Sequence, residues 1–502
     1  MIYLKYDTDL YEYEIADIIR LFFKEEQTCR LTDDKAVKEI SGETVLLRTW
    51  VENNKNCRTF ILSIKGKDIK GKDFDTLIEI PEEGLREGLK LKKQYLKKEL
   101  YKALSIISGK ESPWGTLTGV RPSKIVHEML ENGYNEYEVL EKLQKNYLVS
   151  AKKANLLYEV AKTEKRILDT AYPDTVSLYI GIPFCTTRCL YCSFTSNSID
   201  KCRHLIDGYL SALHEEMKGV KEILENNSLK LQSIYIGGGT PTSIDCNQLE
   251  RLLELTALSF NTEDVDEYTF EAGRPDTINK EKLEIIKGSK VSRICINPQT
   301  MNDETLLAIG RNHTASSIRE AFTLAREVGF NNINMDIITG LPGENLQMFE
   351  NTLKEIGKLS PEAVTVHAMA VKRASRFKEE REKYKMISDQ EASDMMDLAY
   401  KHAKNLGMHP YYLYRQKNIL GNLENVGYSK PGYECIYNVQ IMEEKQTIIA
   451  LGAGAVTKVV YPQENRIERA FNVKNVEEYI KRIPEMLERK KKLLCAKGDE
   501  KS

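Results

Sequence analysis

The chain has 502 residues, enough for two or three domains with ample core. Its 73 basic and 75 acidic residues leave no global field favouring nucleic acid or lipid, and 10 cysteines in that length exclude a disulfide-dense secreted scaffold. No apolar run approaches the ~20 residues of a membrane span, and the start, Met1 to Asp9, carries acids where a signal peptide would be basic and then apolar. These features predict a protein without a membrane span or nucleic-acid partner, located in a reducing compartment, the cytoplasm.

Short β-type runs at Ile2–Tyr6, Thr44–Val51 and Arg58–Ile64 mix with a helical segment at Glu14–Phe23, which predicts an α+β region over 1–105. Leu85–Ile107 reads as one charged amphipathic helix. Ser112-Pro-Trp-Gly-Thr-Leu-Thr-Gly-Val-Arg-Pro122 is rich in turn formers, and helices follow at Lys124–Glu131 and Ser150–Asp169, giving a helical linker over 106–170. Strands then alternate with amphipathic helices: Val176–Ile182, Ser233–Ile236, Glu267–Glu271, Arg293–Ile296, Asn332–Ile338 and Ala363–His367 are separated by stretches such as Tyr209–Leu224 and Ser316–Val328. Six β/α units predict a parallel sheet or incomplete barrel over 171–400, with its site at the carboxyl ends of the strands. Residues 401–502 read as a smaller mixed region covering the substrate. It ends in a basic helix near Val476–Leu494, where Lys490, Lys491 and Lys492 read as a solvated helix end.

The first of the six strands runs straight into Cys185-Thr-Thr-Arg-Cys189-Leu-Tyr-Cys192. Thiolates are soft ligands suited to iron–sulfur clusters. A full cage around four irons needs four of them, so three leave one iron open to a substrate. Two alternatives stand beside this: buried thiols acting as small hydrophobes, and zinc ligands. Zinc would want a fourth ligand close by, and the next candidates, Cys202 and His204, lie ten or more residues on in a predicted helix.

Every later motif also follows one of these strands. Gly237-Gly-Gly-Thr-Pro-Thr242 would let a ligand approach the backbone. Glu271, in Thr269-Phe-Glu-Ala-Gly-Arg-Pro275, is an acid on an apolar strand and needs a partner: a ribose hydroxyl, an ammonium, or a buried ion pair with Arg274. Gln299 offers an amide after the fourth strand. Arg311, in Gly310-Arg-Asn-His-Thr314, could clamp a carboxylate in bidentate fashion or simply serve a helix C-terminus. Asp336 requires a hydrogen-bond donor within its apolar run, and His367 fits a core histidine as well as a site residue.

Together these motifs resemble the oxygen-independent coproporphyrinogen III oxidase (coproporphyrinogen dehydrogenase) family of radical S-adenosylmethionine (SAM) enzymes. The resemblance runs from about Ser177 to Val456 and rests on YIGIPFCTTRCLYCSF, GGGTPT, the Gln299 and Arg311 motifs, MDIITGLPGE, PGYEC and LGAGA. The N-terminal region with PWGTLTGVRP looks like the subgroup carrying a long extension. The resemblance implies an α/β fold: an incomplete (β/α)6 barrel core with an α+β N-terminal domain and a smaller mixed C-terminal domain. It also implies that Cys185, Cys189 and Cys192 hold a 4Fe-4S cluster, and that Tyr179, Gly238, Gly239, Thr240 and Glu271 contact SAM. Gln299, Arg311, Asp336 and Ala370 would line the same pocket or a neighbouring one, since some members hold two SAM molecules. Phe184 and Tyr191 would pack around the cluster.

The chain departs from the family's patterns at three places. Gly181 stands where well-studied members usually carry a histidine, and Phe194 where the established oxidases carry a fourth cysteine. In the second respect, and at Gly310 to His313, the chain is similar to the heme-chaperone branch. That branch's His-Asn-x-x-Tyr-Trp motif is replaced here by Cys435-Ile-Tyr-Asn-Val-Gln-Ile-Met442. The implied chemistry is reductive cleavage of SAM to a 5′-deoxyadenosyl radical, removal of a β-hydrogen from a porphyrinogen propionate, and loss of CO₂ to leave a vinyl group. The electron donor would be of flavodoxin or ferredoxin type. Lys372, Arg373 and Arg376 could meet substrate carboxylates, and Tyr411, Tyr412, Tyr414 and Arg415 could flank a flat macrocycle, while a solvated loop accounts equally well for the basic residues.

Overall fold

The computed structural model describes all residues other than 24, 33–43, 55–56, 83–85, 193–196, 371–383, 385, 417–418 and 497–502. Phe194, Lys372, Arg373 and Arg376 therefore lie outside the described residues, as does the side chain of Cys57. The chain forms two compact units, Met1–Tyr158 and Glu159–Ser502.

In the first unit a five-stranded sheet has the order β2-β1-β3-β4-β5, with β1 Ile2–Tyr6, β2 Thr28–Leu31, β3 Val45–Asn54, β4 Cys57–Lys67 and β5 Asp73–Pro81. β1 pairs in parallel with β2 and β3, and β3, β4 and β5 are antiparallel. Helices Glu12–Phe22 and Arg86–Ser108 bring Ile15, Ile18, Ile19 and Phe22 together with Leu96, Leu100 and Leu104, the helical spacing that fills one core. Trp114 is fully buried, and the backbone of Thr116 donates to Tyr147 O at 2.8 Å, so the Pro-Trp-Gly turn serves this unit's own packing.

The second unit is built on one eleven-stranded sheet. Its middle is six parallel strands: β6 Thr175–Ile182, β9 Lys230–Gly238, β10 Glu267–Gly273, β11 Arg293–Ile296, β12 Ile333–Thr339 and β13 Ala363–Ala368. A two-residue pair, β7 Phe184–Cys185 and β8 Asn197–Ser198, follows β6. Antiparallel strands β15 Asn425–Ser429 and β14 His409–Tyr414 extend the sheet beyond β13. On the other side β16 Thr447–Leu451 runs parallel to β6, followed by β17 Val456–Tyr461 and β18 Arg466–Phe471. This is the open (β/α)6 core expected from the alternation.

The parallel strands are buried along nearly their whole length, which is why the sequence reads as short apolar runs rather than strict alternation. Intervening helices start on side-chain caps. Asp245 and Gln248 form a capping box on Cys246–Ser259, Thr314 caps Ala315–Glu327, and Asn345 caps Leu346–Leu359. No described helix is long and apolar enough to cross a membrane. The basic terminal helix divides into Val476–Lys481 and Ile483–Ala496, and one expectation for it is overturned: Lys490 has 0% exposure. It sits on the inward face of its helix, where an acid of another helix pairs with it.

Candidate active site

Two loops meet at the carboxyl end of β6 and β9. Cys185 lies in β7, Cys189 is buried, and Cys192 is half-buried on a turn whose amide donates to Cys189 O at 3.2 Å. The glycine loop is fastened to this segment: Gly239 N donates to Ile182 O at 2.8 Å and Thr240 N to Phe184 O at 2.7 Å. A Cβ on Gly239 would stand 2.5 Å from Phe184 O and 3.0 Å from Cys185 Sγ. Glycine is required here for the approach of the two loops to each other, a use the sequence had suggested only for a ligand. The Thr240 hydroxyl completes the junction by donating to Cys185 Sγ at 3.5 Å.

A buried cation stands behind the cysteines. Arg274 is 3% exposed; its Nη1 donates to Thr187 Oγ1 at 2.6 Å and to Cys189 Sγ at 3.9 Å. Its partner is Asp276, at 3.0 Å, whose carboxyl is held well below the usual range. Burial opposes that shift, and His313 and Arg274 overcome it. Of the partners open to Glu271, the ion pair with Arg274 does not form, because Asp276, two residues along the same turn, takes the guanidinium. Arg311 is also buried; it donates to Asn297 O at 2.5 Å and to the Tyr191 hydroxyl at 3.1 Å.

One face of the sheet carries the remaining residues. Tyr179 pairs in register with Tyr235, and their rings stack at 6.3 Å, with Tyr437 of helix Ile436–Glu443 closing over Tyr235 at 4.5 Å. The Tyr235 hydroxyl donates to Glu271 Oε1 at 2.6 Å. Burial, with Asp336 adding repulsion, pushes the Glu271 carboxyl up to about 7, against the lowering pull of Tyr235, Arg293 and His367. Asp336 accepts from Asn334 Nδ2 at 2.7 Å and faces His367 Nε2 at 3.7 Å. Burial would raise it, but the imidazole and the amide hold it below the ordinary aspartate value. His367 Nδ1 lies 3.4 Å from the Tyr414 hydroxyl, and its side chain is 26% exposed, so it borders open space rather than sitting in the core.

Gln299 adopts φ 69°, a left-handed conformation held by two backbone hydrogen bonds to β12, Gln299 N to Asp336 O and Ile338 N to Gln299 O, both 2.9 Å. Ala370 forms a bridge with Ile419 just beyond β13. Tyr412 stacks on Tyr414, whereas Tyr411 is wholly buried and Arg415 donates to Asn422 O, so these last two do not present themselves to a flat ligand. Tyr235, Tyr437, Thr187 and Asp276 were not singled out from the sequence. A signal existed only for Tyr235, which shares the two-residue period of Tyr179 across paired strands.

The donor set fits a cluster. Burial pushes the Cys185 thiol up to about 11, with Thr240 pulling the other way, so a thiolate there calls for a cation.

Residues 179–356 match the family model described as the Radical SAM superfamily. The chain is 42% identical over 434 residues to the oxygen-independent coproporphyrinogen-III oxidase-like protein HemZ of Bacillus subtilis, covering 86% of each. It is 32% identical over 283 residues to the heme chaperone HemW of the same organism, covering 56% of this chain and 70% of that one. The oxygen-independent coproporphyrinogen III oxidase of Escherichia coli is 30% identical over 196 residues, 39% of this chain and 42% of that one. Among solved structures, coproporphyrinogen III oxidase (HemN) from Escherichia coli shares the fold with a TM-score of 0.50 at 23% identity, covering 65% of this chain and 73% of that one. The chain therefore belongs to the oxygen-independent coproporphyrinogen III oxidase-like family of radical SAM oxidoreductases, which work with a 4Fe-4S cluster and SAM.

Proposed function

We propose that this protein carries out the oxygen-independent oxidative decarboxylation of coproporphyrinogen III to protoporphyrinogen IX in porphyrin biosynthesis. The observation that carries this reading is the likeness over 86% of the chain to HemZ, a protein named as like that oxidase. Cys185, Cys189 and Cys192 hold the cluster, and Tyr179, Gly238, Gly239, Thr240, Glu271, Gln299, Arg311, Asp336 and Ala370 bind SAM. An electron donor of flavodoxin or ferredoxin type serves it, in the cytoplasm.

Bound together, the cluster and SAM supply a carbon-centred radical able to take a hydrogen atom from an unactivated carbon. The chain's own part is positioning and exclusion. Fully buried Phe184 keeps water from one side of the cysteine loop, and Arg311 fixes the ring of Tyr191 on another. Glu271, with a carboxyl titrating near neutrality, offers an acceptor to ribose hydroxyls or an ammonium. Asp336 and His367 face each other from β12 and β13, each part-exposed, and their pairing holds the Asp336 carboxylate ionised beside the SAM site.

Reconstituted protein, incubated anaerobically with SAM, a strong reductant and coproporphyrinogen III, tests this by mass spectrometry. A vinyl product with matching 5′-deoxyadenosine supports the reading. Untouched porphyrinogen together with stoichiometric heme binding sinks it in favour of heme handling, the role named for the HemW relatives. Against that alternative, the stretch replacing the heme-chaperone motif forms a helix whose Tyr437 and Val439 are buried.

A further inference from the structure

Lys490 and Glu216 form an ion pair with 0% exposure on both side chains, Nζ to Oε1 at 2.7 Å. A charge so placed is costly unless every partner is supplied, and the partners supplied all lead one way. Glu216, on helix Ile206–Asn226, also accepts from Asn472 Nδ2 at 2.8 Å, from Gly452 N at 2.9 Å and from the Tyr479 hydroxyl at 2.5 Å. Lys490 donates in addition to Asn472 Oδ1 at 2.7 Å, and Asn472 donates to Gly452 O at 2.8 Å. The network thus grips both the N–H and the C=O of Gly452.

Gly452 begins the loop that follows β16, and it presses on the strand leading to the cysteines. It has φ 99°, and a Cβ there would lie 2.4 Å from Gly181 O. The Tyr209 hydroxyl joins the same two segments, donating to Gly181 O at 2.5 Å and accepting from Ala453 N at 3.2 Å. Rings run alongside: Tyr479 packs on Tyr209 at 5.2 Å, and Tyr209 meets Phe184 edge-on at 5.3 Å. Gly181 lies two residues after Tyr179 and four before Cys185.

We propose that Lys490 is a positioning residue of the active site. Through Glu216 and Asn472 it holds Gly452 against Gly181, and so fixes the strand end that presents Tyr179 and launches the cysteine loop. A buried pair serving stability alone could be replaced by apolar side chains of similar volume at little cost. Here the acceptors and donors are spent on loop backbone beside the site. The consequence for SAM rests on the cluster assignment above; the consequence for the loops does not.

The test compares wild type with Lys490→Met, Tyr209→Phe and, as a control, Lys492→Met, whose lysine is exposed on the same helix. Hydrogen exchange is read on the metal-free protein, and SAM affinity on the reconstituted one. Lys490→Met should speed exchange about tenfold or more at 181–185 and 452–455, while exchange in β11 to β13 stays unchanged. It should weaken SAM binding about tenfold, a shift of 1.4 kcal/mol, with Lys492→Met at the wild-type value. Tyr209→Phe keeps the ring and the charge pair and reads the Tyr209 link alone; if Lys490→Met does not fold, Lys490→Met with Glu216→Leu, which leaves no unpaired buried charge, carries the test and should loosen the same two segments. Unchanged exchange at both segments in Lys490→Met, or in the double variant if Lys490→Met does not fold, or an increase spread evenly over the whole unit, overturns the proposal. Failure of wild type to take up a four-iron cluster would sink the cluster assignment, while the exchange comparison would still decide the role of Lys490.

Discussion

The guanidinium of Arg274 stands 3.9 Å from the sulfur of Cys189, and Asp276 on the same turn holds it there. A hydrogen-bonded cation beside a cluster ligand stabilises the more negative, reduced state. The nearby carboxylate tempers this without cancelling it. Arg274→Met should therefore lower the cluster's reduction potential, by an amount on the order of tens of millivolts, while iron content stays near wild type. Spectroelectrochemical titration checks it, and an unmoved potential in fully loaded protein would remove Arg274 from any tuning role.

Gly239→Ala should damage the cysteine loop rather than the sheet. The new methyl meets Phe184 O at 2.5 Å and Cys185 Sγ at 3.0 Å, and the first of these is backbone, which does not swing aside. Overpacking of this kind costs about 1–3 kcal/mol, and its displacement falls on Cys185, a proposed cluster ligand. The variant should fold, with a modest loss of melting temperature, yet retain well under half the wild-type iron and sulfide after reconstitution. Full iron content would show that the two loops can part without consequence.

The cysteines should separate cleanly into ligands and core. Cys189→Ala should abolish both the cluster's visible absorbance and SAM cleavage. Cys295, 2% exposed on β11 with Arg293 Nη1 at 3.3 Å from its sulfur, is a packed thiol. Cys295→Ala should cost about 1–2 kcal/mol of stability as a small cavity and leave the iron unchanged. Zinc in place of iron and sulfide in anaerobically purified wild type would overturn the cluster assignment.

Much of this arrangement was legible from periodicity, because parallel strands covered on both faces leave compact apolar runs. Strand Arg293–Ile296 is read to the residue and Ala363–His367 to within one. What stayed hidden depends on partners far apart in the chain. Nothing local in Lys490-Lys-Lys492 says that its first lysine turns inward to an acid 274 positions earlier. Glu271 needs a partner, as its place on an apolar strand suggests, and within the chain that partner is the Tyr235 hydroxyl, which no local pattern named; the alternative of an ion pair with Arg274 does not form. Strand alternation puts Tyr235 on its face, and the turn after β10 gives Arg274 to Asp276. Gln299 looked like an amide donor by composition; its left-handed backbone, pinned to β12, could not be read from one residue's identity.

Glu271 makes the site sensitive to pH in a direction that can be worked out. Burial raises its carboxyl from 4.5 to about 7, so the folded protein holds a proton that the unfolded chain releases near 4.5. The favourable contribution is complete below about 4.5 and fades as pH rises through the folded value near 7, amounting at most to about 3 kcal/mol for a shift of this size. Glu271→Gln cannot ionise. Relative to wild type, the metal-free variant should gain stability steadily between pH 5 and 7.5 and then level off, as read by denaturant unfolding at a series of pH values. Parallel curves for the two proteins would mean that Tyr235 and Arg293 already neutralise the carboxylate. SAM binding should show the opposite benefit: in reconstituted wild type it should tighten as pH rises through 7, when Glu271 gains the charge that attracts an ammonium, and in Glu271→Gln that dependence should be lost.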